Sequence, residues 1–281
     1  MPYLERAGAP PLYYELDDYT DAWKNAPCIV LQHGYARSSR FWRAWVPYLG
    51  RYYKVLRPDL RGLGRSSTEF DHERGINLQA YIDDFTALLD HVGADRVHYC
   101  GESSAGALGM AFAAECASRI RTLTLISAPV YMTEEDKMSS LAGHPNRVEA
   151  LRKMGSRGWL EASNAGRRFP ADTDPALLAW TLDEMGRSNV DVLIAMFKFV
   201  SQVNCTPYLS RITAPVLGLY PIEGVITKSE HTDLLTKHVR DLTLVRLPVR
   251  AHSLQVVRPA TCALEVLHFI GQHDGIACNE A

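Results

Sequence analysis

The stretch HYCGESSAGALGM, residues 98–110, sets two serines, Ser103 and Ser104, between small residues. RVHYCGE (96–102) reads as a buried strand and SAGALGMAFAAECAS (104–118) as a helix, so both serines stand at a strand-to-helix corner. A side chain at the tip of so sharp a corner needs small residues two places before and two places after it. A large one would strike the neighbouring strand or helix. Ser103 meets the condition with Gly101 and Ala105, whereas Ser104 would place Glu102 in the first of those positions. Ser103 is therefore the candidate nucleophile, and the Ser104 backbone N–H a candidate donor to an oxyanion. The plainer role for either serine is to cap the following helix. What decides between the two is the rest of the chain.

Outward from this corner, short apolar runs alternate with amphipathic segments, the pattern of a mainly parallel sheet covered by helices. PPLYYELDDY (10–19) reads as an early hairpin-type strand, and PCIVLQHG (27–34) and YKVLRPDLRG (53–62) as core strands. LQAYIDDFTALLDHVG (78–93) is an amphipathic helix that stops at Gly93, and IRTLTLISAP (120–129) is a further strand. From about Val130 to Arg211 the pattern turns helical, without a convincing strand, and five of the seven methionines gather there. The α/β rhythm returns with APVLGLYP (214–221), KSEHTDLLTKHV (228–239), LTLVRLPV (242–249) and a last helix from Arg258. The expected organisation is an α/β core, 1–129 and 212–281, interrupted by a helical insertion over 130–211.

Composition narrows the function classes. With 281 residues, 47% hydrophobic and 22% charged, the chain has the make-up of a soluble globular protein with a large core. A formal net charge of −2 without basic or acidic tails argues against nucleic-acid and anionic-membrane partners. Acidic residues interrupt the first thirty positions where a signal peptide needs an apolar run. Six cysteines without C-x-x-C spacing suggest free thiols rather than a metal site, and hence a cytoplasmic location.

A serine nucleophile needs a general base on a loop that reaches over it. Of ten histidines, only His252, in LPVRAHSLQVVRP (247–259), follows a strand at the carboxyl edge of the sheet, where open α/β sheets bind ligands. The acid that would orient this imidazole is expected after APVLGLYP, where Glu223 stands in YPIEGVIT. Glu134, Glu135 and Asp136, after the preceding strand, are alternatives. His33-Gly34 ends the strand LQHG, and the turn after it would direct the Tyr35 N–H toward the site. His33 itself reads as a structural histidine.

Taken together, HGYARSSRFW, RPDLRGLGRSS, CGESSAG, APVLGLYPIE and AHSLQVVRP resemble the α/β-hydrolase superfamily over essentially the full chain. The order Ser103, Glu223, His252 is similar to that family's order of nucleophile, acid and base. The resemblance implies an eight-stranded, mostly parallel sheet with a helical cap inserted after the sixth strand. It also implies an oxyanion hole formed by the Tyr35 and Ser104 N–H groups. Asp59, in the D-x-R-G-x-G-x-S stretch, resembles the family's structural brace and is left out of the triad. Two departures stand out: Ala105 replaces a glycine of the corner, and Tyr220-Pro221-Ile222-Glu223 replaces the usual G-x-x-D.

Trp159 and Trp180, with Phe169, Phe197, Phe199 and the methionines, are expected to line an apolar pocket, and Arg37 to face its mouth. Arg157, Arg167 and Arg168 are a weaker suggestion of a carboxylate subsite. The expected activity is serine-dependent hydrolysis of a small, mostly apolar carboxylic ester or lactone, without metal or organic cofactor. Carbon–carbon bond cleavage or acyl transfer by the same residues, or a ligand receptor on the same scaffold, are the alternatives.

Overall fold

The computed structural model describes residues 2–163, 168–224 and 226–278. Eight strands form one sheet: β1 (Tyr3–Arg6), β2 (Ala9–Asp17), β3 (Cys28–Gln32), β4 (Lys54–Pro58), β5 (Val97–Glu102), β6 (Ile120–Ile126), β7 (Val216–Pro221) and β8 (Leu242–Leu247). Their spatial order is β1-β2-β4-β3-β5-β6-β7-β8. Pairing is antiparallel for β1–β2 and β2–β4 and parallel for all others. The expected eight-stranded, mostly parallel sheet is therefore present.

The burial of each strand follows from its place. Every residue of β3, β5 and β7 is buried, as befits parallel strands covered on both faces, and these are the near-continuous apolar runs of the sequence. Alternate residues feed two cores: Val30 and Tyr99 point into one, Ile29, Leu31 and Cys100 into the other. At the edge, β8 buries only Leu247.

Among the described residues there are seven longer helices: α1 (Leu78–His91), α2 (Ser104–Glu115), α3 (Arg147–Ser163), α4 (Pro175–Gly186), α5 (Val190–Val200), α6 (Ser229–His238) and α7 (Pro259–Asp274). Asn77 caps α1 by accepting the Ala80 N–H, and Asn189 caps α5 by accepting from Asp191 and Val192. Helices α3, α4 and α5 all lie between β6 and β7. Among the described residues of this segment the β-pairing is a single bridge, Tyr131 with Asn204. Helix α3 is kinked at Gly155, where φ is +70°.

All six cysteines carry free thiols, and four of them are buried. Burial pushes the Cys28, Cys205 and Cys262 thiols up to about 12, which keeps them unreactive. No helix among the described residues is long and apolar enough to cross a membrane.

Burial is the largest cause holding three imidazoles, those of His33, His98 and His231, below their ordinary value of 6.5. Their unfolded forms take up protons near pH 6.5 while the folded forms resist. Each therefore leaves stability unchanged above that pH and subtracts from it below. The melting temperature is expected to fall between pH 6.5 and pH 5. His231→Gln should flatten that fall, which thermal unfolding across the pH range will measure.

Candidate active site

The carboxyl ends of the parallel strands meet around Ser103. This residue adopts φ +55° and ψ −124°, a conformation that non-glycine residues rarely hold and that costs on the order of 1–3 kcal/mol. Close packing enforces it. A Cβ on Gly101 would lie 2.5 Å from the Ala105 carbonyl oxygen, and one on Gly106 would lie 2.3 Å from the Ala128 Cβ. Main-chain bonds fix the corner on both sides: Ser103 N–H donates to Ile126 O at 2.9 Å, and Gly106 N–H donates to Ser103 O at 2.9 Å. Ala105, in place of glycine, is accommodated with its side chain wholly buried.

Ser104 opens α2, so its N–H is one of the first-turn donors that have no acceptor within the helix. The turn after β3 comes against it. A Cβ on Gly34 would lie 3.2 Å from the Ser103 Cβ, and Tyr35 follows at the wall of the cavity. His33 stiffens this turn. Its Nε2 accepts the Leu60 N–H at 3.0 Å, so Nδ1 carries the proton and donates to Gly34 O at 2.9 Å. Asp59 is a brace as well, accepting from Ser39 N–H at 2.5 Å and Arg65 N–H at 2.8 Å. Both residues have the structural roles read from the sequence.

His252 arrives from the loop after β8. Its Nε2 lies 3.0 Å from Ser103 Oγ, and the residue is almost wholly buried. The loop is anchored from the helical segment, because the carbonyl of Arg168 accepts the N–H groups of both His252 (3.1 Å) and Ser253 (3.2 Å). Serine and imidazole, 149 positions apart, are thus in hydrogen-bond contact as expected.

Glu223 is not brought to them. Its side chain is 66% exposed and pairs with Arg250 Nε at 3.2 Å, because the short turn after β7 sends it outward. Of the alternatives after β6, Glu134 and Glu135 face solvent, paired with Lys137 and Lys228, whereas Asp136 is half-buried at the cavity wall and accepts from Thr133 Oγ1 at 2.7 Å. The carboxylate that does lie near the imidazole is Glu102, wholly buried, with Oε1 3.8 Å from His252 Nε2. It forms an ion pair with buried Arg37. Reading the sequence for candidate acids missed Glu102. The available signal was a charged residue closing an otherwise apolar central strand, which requires a buried cation beside it.

A cavity of about 100 Å³, open to solvent, lies over Ser103 and His252. Val130, Met132, Val200, Val203 and Ile226 give it apolar walls. Trp159 lines it as expected, its ring edge against Tyr35 and its Nε1–H donated to Ser140 O at 2.9 Å. Two expectations need correction. Trp180 packs on Phe41 with ring centroids 4.8 Å apart and does not line this cavity. Arg37 lies behind Ser103 and His252 instead of at the cavity mouth, because Glu102 draws it inward.

Of the arginines suggested by the sequence, Arg157 is exposed and pairs with Glu161 and Asp183, and Arg167 lies outside the described residues. Arg168 lines the cavity, with Arg147 and Asp136, which the sequence had not singled out as pocket residues. Arg147 Nη2 donates to the carbonyls of Asp136 (3.0 Å) and Ser139 (3.2 Å), with its guanidinium 4.2 Å above the Phe197 ring.

Residues 27–163 match the family model of the alpha/beta hydrolase fold. The chain is 26% identical over 276 residues to the provisionally named carbamate hydrolase RutD of Agrobacterium fabrum, a match covering 92% of this chain and 98% of that one. It is 30% identical over 156 residues to the 2-hydroxy-6-oxo-2,4-heptadienoate hydrolase of Pseudomonas putida, covering 52% of this chain and 56% of that one. Among solved structures, the enol-lactonase of Burkholderia xenovorans superposes with a TM-score of 0.85 at 23% identity, covering 96% of this chain and 99% of that one. By its sheet order, its serine corner and these likenesses, the chain has the alpha/beta hydrolase fold.

Proposed function

We propose that the protein is a serine hydrolase that cleaves a small carboxylic ester or lactone through an acyl-enzyme. The observation that carries this reading is the 3.0 Å contact between Ser103 Oγ and His252 Nε2 at a strained corner facing a mostly apolar cavity. His252 Nε2 takes the proton of Ser103 as Oγ attacks the substrate carbonyl. The Tyr35 and Ser104 N–H groups receive the oxyanion, a contribution of roughly 3–4 kcal/mol when one such donor is removed. The imidazolium then gives its proton to the leaving alcohol, and water, activated by the same imidazole, releases the acid. The six free thiols support a reducing compartment, and the helices between β6 and β7 act as the cap of the site.

A fluorophosphonate probe tests the nucleophile without knowledge of the substrate. Peptide mass spectrometry is expected to find the adduct on Ser103, absent in Ser103→Ala and retained in Ser104→Ala. Absence of any adduct on the folded wild-type protein would overturn the reading.

The cavity walls also bias the substrate. Among the described residues they hold two guanidinium groups, Arg147 and Arg168, against one carboxylate, Asp136. An excess of positive charge in a mostly apolar cavity favours an acyl chain that ends in an anion. An ester with a free terminal carboxylate is expected to show a KM at least fivefold below that of its methyl-ester analogue. Arg147→Met should remove most of that difference while leaving kcat for the neutral analogue within about twofold, as steady-state kinetics on the pair will show.

A further inference from the structure

Arg37 leaves the turn after β3 and runs beneath the serine corner. Its Nη1 donates to both carboxylate oxygens of Glu102, and its Nη2 donates to Ser253 Oγ at 2.7 Å. Glu102 is the chain neighbour of Ser103, and Ser253 is the chain neighbour of His252. One guanidinium therefore joins the residue before the nucleophile to the residue after the base, across a sequence gap of 216 positions between Arg37 and Ser253. Arg37, Glu102 and Ser253 are all buried. Glu102 Oε1 is 3.8 Å from His252 Nε2, the ring nitrogen that faces Ser103 Oγ.

We propose that Arg37 is a positioning residue that clamps nucleophile and base together, and that Glu102 supplies the buried negative charge that stabilises the His252 imidazolium. The inference rests on the proposed serine chemistry and gives Glu102 part of the work that the sequence assigned to Glu223.

The chemistry of each group suits the task. A guanidinium has a planar fork of donors that can serve a carboxylate and a hydroxyl in two directions at once, which a lysine ammonium on a flexible stem cannot reproduce. A carboxylate within about 4–6 Å favours the protonated form of an imidazole, and burial strengthens the effect. Arg37 in turn holds Glu102 back from the proton that passes between Ser103 and His252. Glu102 sits beside Nε2, so it acts by charge and leaves the choice of tautomer to other contacts of the ring. Among the described residues, the other charged groups lining the cavity with His252 are Arg168, Arg147 and Asp136. They are unchanged in the variants below, so differences between variants report on the buried pair.

The test is the pH dependence of the rate at which a fluorophosphonate labels Ser103. Glu102→Gln removes the anion and leaves the Arg37 cation, so the acid limb should move to lower pH by about one unit. The plateau rate should drop at least tenfold. Arg37→Met leaves the anion alone, and the acid limb should move the opposite way, to higher pH. A purely structural role would lower both rates without displacing the limbs in opposite directions, so unmoved or equally displaced limbs in folded variants would overturn the inference. Ser253→Ala breaks one arm of the clamp without unpairing a charge. It should slow labelling severalfold at a near-wild-type melting temperature, and an unchanged rate would refute the clamp.

Should the charge-removing variants fail to fold, Glu102→Asp keeps the charge and draws it back from the ring. A smaller downward displacement of the limb is then expected, and none would count against Glu102. Failure of the wild-type protein to label would overturn the proposed function itself. In that case the His252 imidazole, followed by NMR across the pH range, still reads the predicted opposite shifts independently of labelling.

Discussion

The backbone at Ser103 is held where a residue with a side chain resists going, and much of the molecule is arranged to hold it there. Gly101 and Gly106 leave no room for a Cβ, Gly34 presses its main chain against the Ser103 Cβ, and Ala128 closes the far side. The strain of about 1–3 kcal/mol stored at this one residue is small beside the burial that surrounds it. It places the hydroxyl at the cavity, 3.0 Å from His252 Nε2. An unstrained serine at that position would lie along the helix start and cap it, which is the plainer role considered for it above. Geometry, more than residue type, separates the two roles.

Beneath the corner lies an ion pair that stability alone does not account for. Burying Arg37 and Glu102 costs each its hydration, and a pair of this kind is typically no more stabilising than an apolar replacement, whereas removing one partner costs about 3–5 kcal/mol. Such a pair is easier to understand by its location: it links the two loops whose separation decides whether serine and imidazole meet. The His33 and Asp59 contacts do similar work at the neighbouring turn, with hydrogen bonds to main-chain N–H groups instead of a charge pair.

What could be read from the sequence divides along the same line. The sheet, the corner and His252 were legible because each depends on local rules: continuous apolar runs, small residues at fixed offsets, a histidine just past a strand. Glu223 occupies the expected place in the chain, but the direction of its side chain is set by a turn and by Arg250, neither of which spacing reveals. Arg37 and Trp180 were identified as notable residues and assigned to the wrong surroundings, because their neighbours, Glu102 and Phe41, come from other parts of the chain. Arg147 and Asp136 enter the cavity only through the packing of the segment between β6 and β7, where helical periodicity gives a buried face but not what that face covers.

The hold of that segment on the His252 loop is made by main chain. Arg168 offers its carbonyl to the N–H groups of His252 and Ser253, while its side chain is part of the cavity wall. A substitution at 168 therefore changes what the cavity presents to a ligand without removing the acceptor that fixes His252. The two tasks at this position can drift independently over evolutionary time. A scaffold built this way can change its ligand preference at position 168 by single steps, each of which keeps His252 in place.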